Sequence, residues 1–81
     1  MTLYVTLEIN DARIGTVAIT RTTSHGEQPD AVNLYRWQYW RDGESAVGHI
    51  EHRYGAGAVV LAAKVLAEVA ERHQLAQAST E

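Results

Sequence analysis

Apolar and polar residues alternate with period two at the start of the chain. Over residues 2–9, Leu3, Val5, Leu7 and Ile9 fall on one side, and Thr2, Tyr4, Thr6 and Glu8 on the other. That is the pattern of a strand with one buried face. Asn10, Asp11, Ala12 and Arg13 carry turn chemistry, and a second strand is expected over residues 14–21. Pairing the two raises a question of register. An even loop sets Val5 and Leu7 beside Thr16 and Ala18; a three- or five-residue loop, or a bulge at Gly15, brings Val17 and Ile19 to the apolar side. A slip of one residue turns every side chain to the other face, so the odd loop or the bulge is expected.

A second pair of alternating runs flanks Asp42-Gly43, residue types that tolerate the positive φ a tight hairpin turn demands. Strands are expected over residues 33–41 and 44–54. A two-residue turn sets Arg41 against Glu44, Trp37 against Gly48 and Tyr35 against Ile50. One face then carries Tyr35, Trp37, Tyr39, Ala46, Gly48, Ile50 and His52, with a large ring over a strand glycine, and is assigned to the core. The other carries Arg36, Gln38, Trp40, Val47, His49, Glu51 and Arg53, and is assigned to the open side. Residues 22–30, TTSHGEQPD, lack periodicity and read as a surface connector between the two hairpins, or as a binding loop.

Periodicity changes to that of a helix after Gly55-Ala56-Gly57. Over residues 57–75, Val59, Ala62, Ala63, Leu66, Val69, Ala70 and His73 form one apolar stripe, with Lys64, Glu68, Glu71 and Arg72 opposite. Val60 and Leu61 lie off that stripe and are expected to be exposed. The fold class is therefore α+β: a four-stranded antiparallel meander of two hairpins with one C-terminal helix on one face, ββββα. Residues 1–75 form a single domain and residues 76–81 a frayed tail. The strongest expectation is that Trp37 lies buried between Gly48 and the helix, near Ala62, Leu66 and Val69, while Trp40 lies on the opposite face.

Composition narrows the function without naming it. Cysteine is absent, which removes disulfides and thiolate metal sites. The chain opens with no charged n-region and apolar h-region, and no apolar run approaches membrane-spanning length, so a cytoplasmic setting without membrane contact is expected. The net charge is −3. Residues 1–54 hold five arginines against seven carboxylates, a balance that disfavours nucleic acid as a partner.

Four kinds of chemistry suit the residues of the open face to different degrees. Metal binding fails because His49 and His52 point to opposite sides of a strand, leaving His49 and Glu51 without a third ligand; no metal and no cofactor is expected. Acid–base chemistry on an anion would use His49 and Glu51 with Arg36 and Arg53, but the same residues make an ordinary cross-strand ion-pair ladder, and a flat face does not exclude water. Nucleic-acid binding would use Arg36, Trp40 and Arg53 for phosphate contact and stacking. Association with protein fits the residue types best. Trp40, beside Arg36, Gln38 and Val47, has the composition of an interface centre. The expectation is a non-enzymatic regulatory or interaction protein that binds itself, as a homodimer, or another protein through Arg36, Gln38, Trp40, Val47, His49, Glu51 and Arg53. The alternatives are a nucleic-acid-binding module and then an anion-handling enzyme.

The run HRYGAGAVVLAAKVLAE after a Trp-rich strand resembles small proteins of actinobacteria and their phages, which share a strand–Arg-Tyr-Gly–helix junction. The likeness covers the last half of the chain. It implies a compact regulatory or host-interaction role and assigns no activity and no functional residue.

Overall fold

The computed structural model describes residues 5–73. Turn residues divide them into β1 (Thr6–Asp11), β2 (Gly15–Thr23), β3 (Val32–Arg41) and β4 (Glu44–Arg53), one turn of 3-10 helix (Tyr54–Ala56) and α1 (Ala58–His73). The strands form one antiparallel sheet in the order β1-β2-β3-β4, the expected meander followed by a helix. The opening of the first strand at Leu3 and Tyr4, the helix beyond residue 73, the side chain of His73 and the tail 76–81 lie outside the described residues.

Register follows the apolar pattern. Three residues, Ala12, Arg13 and Ile14, separate Asp11 from its partner Gly15, so the loop is odd; Leu7 sits opposite Ile19 and Ile9 opposite Val17. In the second hairpin Asp42 and Gly43 take φ of 48° and 86°. Positive φ at both central positions matches the type I′ twist to the twist of the strands. Arg41 faces Glu44, Trp37 faces Gly48 and Tyr35 faces Ile50 as expected. Val17, Ile19, Tyr35, Trp37 and Tyr39 form the sheet side of the core. A Cβ at Gly48 would run into Trp37 Cζ2 and Cε2, so the ring occupies the space the glycine leaves.

The helix is rolled from its expected position. Leu61, Val65 and Val69 are its buried residues, whereas Val59 is 84% exposed and Ala63 is also exposed. The buried line is centred about one residue, roughly 100°, away from the centre of the expected stripe, and shares only Val69 with it among the described residues. The reason is volume. Branched Leu61, Val65 and Val69 remove more apolar surface from water than alanines can, at about 25 cal/mol per Å². Leu66 packs at the margin of the core, and Ala62 and Ala70 are half-buried. Leu61 is thus buried against expectation, while Val60 is exposed. Arg72 does not point away from the sheet either: its Cζ stands 5.5 Å from the centre of a Trp37 ring, a cation–π placement over the core aromatic. Glu68 still pairs with Arg72 at 3.2 Å.

Polar side chains tie the connections down. Asn33 is fully buried; its Oδ1 accepts the His25 N–H at 2.6 Å and its Nδ2 donates to Gly26 O at 3.2 Å. The N–H groups of Tyr54 and Gly55 donate to Ala31 O (2.8 Å) and Pro29 O (3.0 Å). The connector between the hairpins is therefore held at both ends by hydrogen bonds. Arg21, also buried, reaches Glu27 of the same connector at 3.5 Å. His52 lies under the start of α1, with Nε2 2.9 Å from Gly57 O and Nδ1 3.5 Å from Lys64 Nζ. In the tautomer with its proton on Nε2 the ring donates to the Gly57 carbonyl and accepts from the Lys64 ammonium.

Candidate functional site

Because α1 lies on the Trp37 side, the other side of the sheet carries no element of the described chain. The hydrogen-bond registers place its side chains in rows across the four strands. One row reads Asn10, Thr16, Trp40, Ser45; the next Glu8, Ala18, Gln38, Val47; the third Thr6, Thr20, Arg36, His49. Leu34 and Glu51, then Val32 and Arg53, continue it on β3 and β4. All seven candidate residues, Arg36, Gln38, Trp40, Val47, His49, Glu51 and Arg53, therefore share one face. Trp40 and Val47 are 39% and 42% exposed. Arg36, His49, Glu51 and Arg53 are exposed and Gln38 is half-buried.

The face has relief. On β3 the chain presents Leu34, Arg36, Gln38 and Trp40, all large; beside them β2 presents Thr16, Ala18 and Thr20, all small. A ridge runs along β3 and a trough along β2. The trough's polar groups bond sideways within the protein: Thr16 Oγ1 donates to Asn10 Oδ1 at 2.8 Å, and the Thr6 and Thr20 hydroxyls stand 3.5 Å apart.

Electrostatically the face differs from the expected ladder. Among the described residues no ion pair joins Arg36, His49, Glu51 and Arg53; Arg21–Glu27, Arg41–Asp42 and Glu68–Arg72 pair elsewhere. Arg36 and His49 sit opposite one another on β3 and β4, two basic side chains in one row, so the alternation of charge that a ladder needs is missing. His49 is exposed on this side, whereas His52 is buried on the other, so the two cannot share an ion.

The sequence reading did not bring the two hairpin tips together. In a meander the first and third turns lie at the same end of the sheet, and here they border a cleft of about 760 Å³ lined by Asn10, Asp11, Thr16, Trp40, Asp42, Glu44 and Ser45. Arg41 also lines it and donates to Arg13 O. Trp40 thus stands between an acidic cleft and the basic pair Arg36 and His49. A second cavity, of about 350 Å³, lies on the helix side among Leu7, Ile19, Arg21, Tyr35, His52, Tyr54 and Leu61. Strand parity places His52 on this side, and it is buried there; Arg21 shares the parity of Val17 and Ile19 but reads as surface by residue type.

Among the described residues, no helix is long and apolar enough to cross a membrane. In comparisons with known proteins, the chain matches no family model, no curated protein and no solved structure.

Proposed function

We propose that this protein works by association, binding a protein surface through the open face of its sheet around Trp40, and that it performs no chemistry of its own. The observation that carries the reading is the pairing of exposed Trp40 and Val47 with Arg36, Gln38 and His49 on a face that no described element covers. A tryptophan and an arginine beside a small apolar centre are the residue types that dominate interface energies. The charges support protein over nucleic acid: the chain carries a net charge of −3, and Glu8 and Glu51 stand among the basic residues of this face. A regulatory or host-interaction role accords with the actinobacterial and phage resemblance.

The test compares wild type, Trp40→Ala and a helix-side control, Val59→Ser, each first checked for a native thermal melt. Complexes with itself or with a protein from extract of its source are measured by sedimentation, and oligonucleotide binding is titrated at two salt concentrations. Complexes lost in Trp40→Ala and retained in Val59→Ser are expected. Complexes that follow Val59, or oligonucleotide binding that falls steeply with salt, overturn the reading.

A further inference from the structure

From the ridge and trough we infer that the partner is a second copy of this chain, packed face to face about a two-fold axis that runs nearly parallel to the strands. The inference rests on the open-face reading and adds the partner and its geometry. A two-fold axis lying in the interface has two simple orientations. If it runs across the strands, β3 meets β3 in the reverse direction, Gln38 against Gln38 and Arg36 against Trp40, so that large side chains lie on large ones and the small residues of β2 face one another. If it runs along the strands between β2 and β3, each row meets the same row with the strands exchanged. Trp40 then faces Thr16 of the other copy, Gln38 faces Ala18 and Arg36 faces Thr20. Every large side chain of the ridge meets a small one of the trough.

Charge follows the same operator. β1 lies over β4 of the other copy, so Glu8 faces Val47 with His49 one row away and Arg36 one strand further in. Glu8 of the outer strand thus lies one row and one strand from Arg36 of the other copy, within the combined reach of the two side chains, and does so twice by symmetry. The trough can be covered without orphaning its hydroxyl at Thr16, which already donates to Asn10. Stacked sheets pack with their strands about 30° apart, which sets the axis roughly 15° from the strand direction. Four strands about 4.8 Å apart give a face near the lower limit of a specific interface, and a dissociation constant in the micromolar range is expected.

The experiment is sedimentation velocity of the full chain from low micromolar to submillimolar concentration, with variants confined to the open face. Ala18→Arg fills the trough, and Glu8→Arg and Arg36→Glu each break the cross-copy charge pairing; far-UV circular dichroism and a thermal melt confirm that each is folded. The expected result is a wild-type dimer, a monomer for Ala18→Arg, and roughly tenfold weaker association for each single charge change with recovery in the Glu8→Arg/Arg36→Glu double variant. A wild-type protein that stays monomeric throughout, while Trp40-dependent binding to another protein persists, overturns the second-copy inference and leaves the open-face reading standing. A dimer indifferent to Ala18→Arg and to both charge changes also overturns it.

Discussion

Trp37 and Trp40 lie three residues apart on one strand and have opposite fates. Trp37 is fully buried, set over Gly48 and overlain by the Arg72 guanidinium; Trp40 is 39% exposed at the rim of an acidic cleft. Strand geometry alone sends residues of odd separation to opposite faces. What decides which tryptophan is structural is the register of the hairpin, set by the Asp42-Gly43 turn, and the helix that follows. The difference teaches that the same side chain holds the fold together on one face and stays exposed on the other, so substitutions at the two sites should separate stability from the proposed binding.

The sharpest break comes from Trp37→Ala. Emptying a fully buried tryptophan site costs about 3–5 kcal/mol, a large part of what a domain of this size has. Chemical denaturation should show little folded protein at 37 °C, and a melt close to wild type would contradict the core assignment. Gly48→Ala should follow at about 1–3 kcal/mol, because the added Cβ meets the Trp37 ring and forces it off its rotamer. Asn33→Ala removes the acceptor for His25 and the donor to Gly26, at a cost of about 1–3 kcal/mol. Faster amide exchange at His25 would locate that loss in the connector. Trp40→Ala is the smallest for the fold, less than about 1 kcal/mol, yet it should abolish association. Should Trp40→Ala unfold the protein as readily as Trp37→Ala, the two-face account fails.

Much of this contrast was legible in the sequence because strand periodicity has only two outcomes. Once Asp42-Gly43 fixed the turn, Trp37 against Gly48 and all seven open-face residues followed by parity; once Val17 and Ile19 had to join Leu7 and Ile9, the first loop had to be odd. The helix was harder. Residues 58–63 are apolar all round, so periodicity could not choose between the alanine-rich stripe and the Leu61–Val65–Val69 line, and volume against the sheet made the choice. Arg72 and Lys64 are exposed as their residue types suggest, but residue type says nothing of the Trp37 ring or the Glu51 carbonyl that the fold brings near them. Asn33 and Arg21 are buried by partners in the irregular connector, His25 and Gly26 for the one and Glu27 for the other, where no periodicity exists to place them; His52 was on the core face by parity, but its bond to Gly57 needed the fold. The cleft at the hairpin tips needed the meander's third dimension before Asn10 and Asp11 could be placed beside Trp40.

The most direct test uses tryptophan emission in a protein with a single tryptophan. Trp37→Phe leaves Trp40 as the sole reporter, and the core tolerates it in hydrogen-bond terms because the buried Trp37 Nε1 has no acceptor among the described residues. At low concentration the Trp40 emission should be red-shifted and readily quenched by acrylamide. As concentration rises through the association range, it should shift to the blue and become protected. Trp40 emission that stays red-shifted and quenchable while sedimentation shows the complex forming would contradict the claim that the open face is the binding surface.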